Sequence, residues 1–304
     1  MEVNNTDKEK SILEKYNISP VLFGFISLIV IFISYQMIGS FLTYLIIGGS
    51  FEGLSPNFIR IISTIGQILF LLLPTLLLAR LLPDNFKKIF KLNKISFALC
   101  IWIIISVFAL MQICEVILLL QSQIPLPESI KIVLDEIKIA IEETYKRLVY
   151  SDSISELGLV IMAVAIVPSI CEELLFRGLI QHAFTSELRA KNGIIITGLF
   201  FAFFHLNPLS FIAVAILGIY LSFLAYKTNS IISAMLGHFT NNVIAVIVPY
   251  FLGRDDLIID STNAVLTTNE FISLFFIFLV ALPLFILSLF MIFKKTAVVS
   301  PMEG

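Results

Sequence analysis

Two glutamates and an arginine interrupt an apolar stretch at residues 171–181, which read CEELLFRGLIQ. Each charged side chain at the centre of a membrane-spanning helix costs about 2.5–3.5 kcal/mol on insertion scales, so a sequence rarely keeps three without a reason. On a helix, Glu173 and Arg177 are four residues apart and share a face, which allows an ion pair. Glu172 points about 100° away from that face, so its carboxylate is left to hold a proton, a cation or a polarised water molecule.

Two of the three histidines also lie in apolar stretches. His205 ends the stretch FFAFFH, with Phe201 one turn earlier on the same face, and His238 precedes Asn242 by one turn in SAMLGHFTNN. A single histidine in such a place is more often a packing residue than a catalyst. Counting about 1.5 Å per residue from the predicted cytoplasmic helix ends, these polar side chains and the Glu172 carboxylate all lie about 12 to 18 Å deep. They therefore share one layer of the predicted membrane domain.

This combination of side chains fits the hydrolysis of an amide bond. A carboxylate and an imidazole that converge on one water molecule make a general base, while a second imidazole and a carboxamide can donate hydrogen bonds to an oxyanion. The GxSxG and HExxH motifs are absent, so neither a serine-hydrolase elbow nor a zincin helix is supported. Cys171 is next to Glu172, but sequence neighbours point apart on a helix and nothing in the sequence activates the thiol.

The elements that must position these residues are membrane-spanning helices. Of all residues 58% are hydrophobic and 14% are charged, and the mean hydropathy is +0.99, which indicates an integral membrane protein of the all-α class. Windows of about 20 apolar residues predict eight spans, at 21–47, 58–82, 96–121, 154–183, 193–206, 209–226, 230–252 and 271–293. Only Asn207 and Pro208 separate the fifth span from the sixth, so this pair is also compatible with a tight helical hairpin.

The distribution of lysine and arginine predicts that both termini are cytoplasmic. With that orientation the inner segments contain most of the basic residues: Lys8, Lys10, Lys15, Arg80, Lys87, Lys88, Lys91, Lys94, Arg189, Lys191, Lys227, Lys294 and Lys295. The outer segments contain Arg60, Arg254 and the long third loop, in which acidic residues accompany the four basic residues Lys131, Lys138, Lys146 and Arg147. The polar segment 1–20 and the long first span indicate an anchor that is not cleaved. The compact chain favours a bacterial plasma (inner) membrane.

Outside the spans, one segment has helical periodicity. In 127–153 apolar residues recur at helical spacing opposite a charged face, which predicts an amphipathic helix on the outer surface, either covering the bundle or acting as a lid. The chain 1–304 is otherwise predicted to be a single membrane domain. The three cysteines lie in apolar segments and indicate no disulfide framework, and nothing in the charge pattern indicates nucleic-acid binding.

Three motifs follow one another on the predicted apolar helices: EExxxR at Glu172, Glu173 and Arg177, FxxxH at Phe201 and His205, and HxxxN at His238 and Asn242. In these motifs the chain resembles the CAAX prenyl protease and bacteriocin-processing family (CPBP, also called Abi) of intramembrane proteases. The stretch that carries the resemblance, 154–252, is the expected catalytic core. Outside this core the resemblance is one of hydropathy only.

The resemblance implies an endopeptidase that cuts a peptide bond in or near the membrane. Glu172 and His205 would activate water, His238 and Asn242 would serve the oxyanion, and Glu173, Arg177 and Phe201 would support the site. The family is described both as a metalloprotease and as a metal-free glutamate protease. Glu172, His205 and His238 would make a zinc set with water as the fourth ligand, so the cofactor stays open between Zn²⁺ and none. The metal-free mechanism is slightly favoured because Asn242 is easier to explain as a donor than as a zinc ligand.

Two other classes of function remain open at this stage. A catalytically silent scaffold, such as a bacteriocin-immunity or regulatory protein, would keep the fold and bind a partner. A proton-coupled transporter would use the intramembrane glutamate and histidines as a relay. The expected partners of a protease are the lipid bilayer and a peptide or membrane-protein substrate. The sequence leaves the substrate and the oligomeric state undefined. His182 matches no motif position and is interpreted as a residue of the membrane interface.

Overall fold

The computed structural model describes residues 12–49, 53–252 and 267–296, and these residues form helices and connecting turns without a strand. The main helices, in chain order, are α1 Pro20–Ile46, α2 Pro56–Ala79, α3 Phe97–Ser122, α4 Glu128–Val149, α5 Ile154–Thr185, α6 Ala190–Phe204, α7 Phe211–Thr228, α8 Ile231–Leu252 and α9 Thr268–Thr296. Two helices of five residues, Ile12–Tyr16 and Phe86–Phe90, precede α1 and α3. Lys8, Lys10 and Arg254, used above for the orientation, lie outside the described residues.

Seven of the described helices are long and apolar enough to cross a membrane, namely α1, α2, α3, α5, α7, α8 and α9. Their ends agree with the predicted spans to within a few residues, and the prediction of an all-α polytopic membrane protein is confirmed. Many large apolar side chains on α1 and α9, among them Phe41, Phe276 and Val280, are exposed on the outside of the bundle. A soluble protein rarely exposes so much contiguous apolar surface, whereas lipid accommodates it.

N-cap residues explain where several of these helices begin. Ser19, Ser55, Ser96 and Ser153 each accept a hydrogen bond from a backbone N–H in the first turn of α1, α2, α3 and α5. Such caps satisfy donors that have no partner within the helix. Proline at the first position of α1 and α2 adds to the signal because it has no N–H to satisfy.

The predicted fifth span, 193–206, is a shorter helix that pairs closely with the sixth. Helix α6 has 15 residues, so it is about 22 Å long and shorter than the roughly 30 Å hydrocarbon core. It packs against α7 through Gly198 and Gly218, where a Cβ on Gly198 would lie 2.4 Å from the backbone nitrogen of Ile219. The two helices form the tight hairpin that the sequence left open.

Three of the spans contain π-helical turns, and these spans surround the site. The turns are Ile33–Gly39 in α1, Ile68–Leu72 in α2, and Ile161–Ile166 and Leu174–Ile180 in α5. Pro168 is the second residue of the α-helical segment Val167–Glu173, which lies between the two wide turns of α5. A π-turn holds an extra residue and rotates everything beyond it, which changes the face that later side chains occupy.

Helix α4 lies within the predicted amphipathic segment 127–153 and is tied to the bundle at its C-terminal end. The fully buried Arg60 of α2 donates to the carbonyl oxygens of Leu148 and Tyr150 and forms an ion pair with Glu156 at 2.6 Å. The Tyr145 hydroxyl donates to the Ala245 carbonyl at 2.8 Å. The position of α4 outside the membrane remains a prediction.

Candidate active site

A cavity of about 160 Å³ lies where α1, α2, α5 and α6 meet. Seven residues line it: Tyr35, Gln36, Leu71, Glu172, Phe176, Phe204 and His205. Three are apolar and four are polar, which is the composition of a small polar site with apolar walls. The cavity brings Glu172 and His205, 33 positions apart in the chain, to one place.

Glu172 and His205 face each other in this cavity. Glu172 Oε2 lies 3.9 Å from His205 Nε2, and the two side chains are 16% and 36% exposed. His205 Nδ1 lies 2.8 Å from the Phe201 carbonyl oxygen. Because a carbonyl oxygen only accepts, Nδ1 carries the hydrogen, and in the neutral ring the lone pair is on Nε2, toward Glu172. Glu172 Oε2 has no hydrogen-bond partner among the described residues.

The end of α6 sets the position of His205. His205 is the residue directly after α6, and Leu206 has φ of +49°, a left-handed conformation that turns the chain away. Asn207 Oδ1 accepts from the backbone N–H groups of the two residues that begin the return. On the other side, Gln36 Nε2 donates to the Phe204 carbonyl at 2.7 Å. The helix end next to His205 is therefore held from α1.

Glu173, by contrast, is fully buried in a polar cluster that does not line the cavity. Its Oε1 accepts from Arg177 at 2.7 Å and from His238 Nδ1 at 2.8 Å. Arg177 also donates to the Gly218 carbonyl at 2.8 Å and places its guanidinium carbon 4.4 Å from the centre of the Phe201 ring. The Glu173–Arg177 pair predicted from the spacing is present. The cluster joins α5, α7 and α8, and its opposite charges compensate one another.

Phe201 connects this cluster with the cavity. Its ring centroid lies 4.6 Å from that of His205 and 5.5 Å from that of His238. The ring is almost fully buried, so it fills the space between the two imidazoles and fixes their separation. The aromatic residue of the FxxxH motif thus acts as a spacer.

Asn242 makes its hydrogen bonds to residues other than Glu172 and His205. Its Nδ2 donates to the Val164 carbonyl at 2.9 Å, and its Oδ1 accepts from Asn241 Nδ2 at 3.0 Å. Neither Asn242 nor His238 lines the cavity. The structure therefore brings Glu172 to His205 and His238 to Glu173, while the hydrogen bonds of Asn242 go to Asn241 and Val164.

The possible zinc ligands do not form a group in this arrangement. Among the residues that the structure describes, no three His, Cys, Asp or Glu side chains are placed so that they could hold a metal ion together. Of the set Glu172, His205 and His238, the last directs its Nδ1 to Glu173. The donor set as arranged does not fit a zinc ion, so the steps proposed below involve the side chains alone.

Two other residues singled out in the sequence have clear positions. His182 Nε2 lies 2.8 Å from Asp84 Oδ2, which links α5 to the loop between α2 and α3. Cys171 is buried in the main apolar cluster and does not line the cavity.

Sequence reasoning missed Tyr35 and Gln36, which line the cavity from α1. The available signal was weak: they are a polar pair within the apolar stretch FISLIVIFISYQMIG. Such pairs are uncommon in a span and mark a polar neighbour inside the bundle. The neighbour itself is 168 positions away from Gln36 in the chain, so α1 alone could not identify it.

Residues 154–244 match the family model described as type II CAAX prenyl endopeptidase Rce1-like, a stretch that includes every residue of the three motifs. No curated protein matches the chain. No solved structure matches it either. The match covers about a third of the sequence and supports, at the level of the family, a membrane-embedded protease of the CPBP type. Residues 154–244 are therefore similar to the Rce1-like members of the CPBP family.

Proposed function

We propose that the protein is an intramembrane endopeptidase in which Glu172 and His205 activate a water molecule. The observation that carries this proposal is the pair of facing atoms in the cavity, Glu172 Oε2 and His205 Nε2, 3.9 Å apart. This separation exceeds a direct hydrogen bond and suits two acceptors that share one water molecule. The Rce1-like match of the same stretch supports a peptide bond as the target.

The reaction proceeds in two steps. The water oxygen attacks the scissile carbonyl carbon while its proton passes to the Glu172 carboxylate, and the carbonyl π electrons move to oxygen to form an oxyanion. His205 accepts the second hydrogen bond of the water and orients its lone pair. The C–N bond then breaks, and the proton from Glu172 goes to the leaving nitrogen, which gives a carboxylic acid and an amine.

The cluster around Glu173 positions the reacting side chains in this proposal. Arg177 and Glu173 hold α5 against α7. Phe201 packs on both Arg177 and His205, so the position of the His205 ring depends on this cluster. Glu173 also accepts from Nδ1 of His238, which joins α8 to this cluster. The oxyanion roles of His238 and Asn242 remain predictions. Neither residue lines the cavity in which Glu172 and His205 face each other.

The substrate in this proposal is a peptide or a membrane-protein segment that reaches the cavity within the bilayer. The name of the matching family makes a prenylated C-terminal CAAX peptide one substrate to test, and a peptide or bacteriocin precursor is the other. We further propose a bacterial plasma membrane with both termini inside. Single cysteines at Arg189 and Lys227 should react with an impermeant thiol reagent only from the cytoplasmic side, and labelling only from outside would reverse the topology.

The test is cleavage by the purified protein in proteoliposomes of quenched fluorescent peptides, with and without a prenyl group. Glu172→Gln and His205→Ala should each lower kcat by at least about 10², the contribution of a positioned acid–base group. Glu115→Gln is the matched control because it removes another carboxylate from an apolar helix, α3, away from the cavity. Chelator-sensitive cleavage that zinc restores would assign a metal mechanism. Equal rates in wild type and both site variants would refute the assignment, and a panel with no cleaved peptide would favour the scaffold function.

A further inference from the structure

The proposed reaction develops a negative oxygen, and the cavity must offer that oxygen a hydrogen-bond donor. Donors that bind an oxyanion lie about 2.7–3.1 Å from it and account for a large part of the rate. The predicted donors, His238 and Asn242, do not line the cavity; Nδ1 of His238 bonds to Glu173 and Nδ2 of Asn242 to the Val164 carbonyl. The residues that line the cavity are the ones that can contact this oxygen.

Four polar side chains line the cavity, and three have other functions. Glu172 is the base. His205 uses Nδ1 on the Phe201 carbonyl and presents Nε2 to Glu172. Gln36 donates to the Phe204 carbonyl. The remaining polar group is the Tyr35 hydroxyl, which is a donor and has no competing duty in the proposed chemistry.

The surroundings of Tyr35 leave its proton available. The side chain lies in the π-helical turn Ile33–Gly39 of α1 and lines the same cavity as Glu172. Its hydroxyl is both a donor and an acceptor, so it can donate its hydrogen to a carbonyl oxygen that enters the cavity.

We propose that the Tyr35 hydroxyl is the oxyanion donor of the site, hydrogen-bonding the carbonyl oxygen of the scissile peptide as it becomes negative. No proton is transferred from Tyr35; the hydroxyl hydrogen stays on the tyrosine and its hydrogen bond shortens as charge develops. The inference rests on the proposed function. It assigns to α1, outside the stretch 154–244 that matches the family model, a residue that touches the substrate.

The test compares Tyr35→Phe with wild type, because phenylalanine keeps the ring and removes only the hydroxyl. We expect kcat to fall about 10²-fold or more while KM stays within about twofold, since the interaction strengthens in the transition state. Two competitive inhibitors give a second readout. A peptide aldehyde, whose hydrate resembles the tetrahedral intermediate, should bind more weakly by about the same factor as kcat/KM. The matched peptide amide should bind as it does to wild type.

The matched control is Tyr220→Phe. Tyr220 is also a buried tyrosine, but its hydroxyl donates to Ser106 away from the cavity, so this variant should keep kcat and the inhibitor ratio. The ratio of the two inhibition constants does not depend on the fraction of folded enzyme, so it decides the question even if Tyr35→Phe is less stable. An unchanged ratio and kcat in Tyr35→Phe, with Glu172→Gln inactive, would overturn the role of Tyr35 alone. Activity retained in Glu172→Gln would instead overturn the proposed function.

Discussion

Glu172 and Glu173 are neighbours in the chain, yet their carboxylates lie in different surroundings. Glu172 faces the cavity with one oxygen 3.9 Å from His205, whereas Glu173 is fully buried and bonded to Arg177 and His238. A helix turns by about 100° per residue, so adjacent side chains reach different partners. One glutamate is thus available to the proposed chemistry while the other holds the helices together.

The first prediction concerns the Glu173–Arg177 pair. Removing one partner leaves an uncompensated buried charge, so Glu173→Gln or Arg177→Gln should each lower the free energy of unfolding by about 3–5 kcal/mol. The double variant should lose clearly less than the sum of the two. Denaturant or thermal unfolding in detergent measures all three.

The control for this pair is Glu142→Gln on α4, which disrupts a partly exposed ion pair with Lys138 at the same four-residue spacing. Its effect should stay below about 1 kcal/mol. Strict additivity of the Glu173 and Arg177 variants would contradict a direct interaction between these side chains.

The second prediction concerns the contact between α6 and α7. A Cβ on Gly198 would lie 2.4 Å from the Ile219 nitrogen and 2.6 Å from its Cα, which are backbone atoms that cannot give way. Gly198→Ala should therefore separate the hairpin, destabilise the protein by at least about 2 kcal/mol and lower activity, because His205 directly follows α6. Gly158→Ala, where a Cβ meets nothing within 4 Å, should be neutral or stabilise by up to about 1 kcal/mol. Similar melting temperatures for the two variants would disprove close packing at Gly198.

The third prediction concerns the backbone directly after His205. Leu206 has φ of +49°, which disfavours a large side chain, and that side chain is exposed. Leu206→Gly should remove about 1 kcal/mol of strain and lose little packing, so it should match or exceed wild type in thermal stability. Leu206→Val, with branching at Cβ, should be less stable than wild type. The opposite order would show that another conformation ends α6.

The fourth prediction concerns Asp84, in the loop that hydrogen-bonds to His182. Partial burial alone would raise the pKa of Asp84, but hydrogen bonds from Lys88 and His182 outweigh it and hold the pKa below the ordinary 3.8. A depressed pKa means that the stabilisation is present above about pH 3.8 and is lost as the pH falls through the folded-state value.

Wild type should accordingly melt about 1–3 °C above Asp84→Asn at pH 6, and this difference should shrink toward zero at pH 3. Asp135→Asn, on the exposed surface of α4, should leave the melting temperature unchanged at both values. A difference between wild type and Asp84→Asn that grows on acidification would contradict the sign of the shift.

Parts of this structure follow from local sequence alone. Spans need about 20 apolar residues, so their positions could be counted, and the Glu173–Arg177 pair needed only helical spacing. The positions of Tyr35 and Asn242 relative to the cavity could not be obtained in this way. Tyr35 lies in one π-helical turn, and Asn242 bonds to Val164 in another, so counting 100° per residue assigns the wrong face beyond these turns. Both also depend on contacts between distant segments, which periodicity does not encode.

The turn between α6 and α7 reverses the chain directly after His205, and carboxamide side chains satisfy part of its backbone. Gln36 of α1, Gln121 of α3 and Asn207 of the turn itself supply hydrogen bonds to the carbonyl and N–H groups there. These three carboxamide side chains are thus hydrogen-bond partners of the turn backbone. A FxxxH motif transplanted into another helical hairpin would lack these hydrogen bonds, so the graft would need the two glutamines of the surrounding helices as well as the histidine.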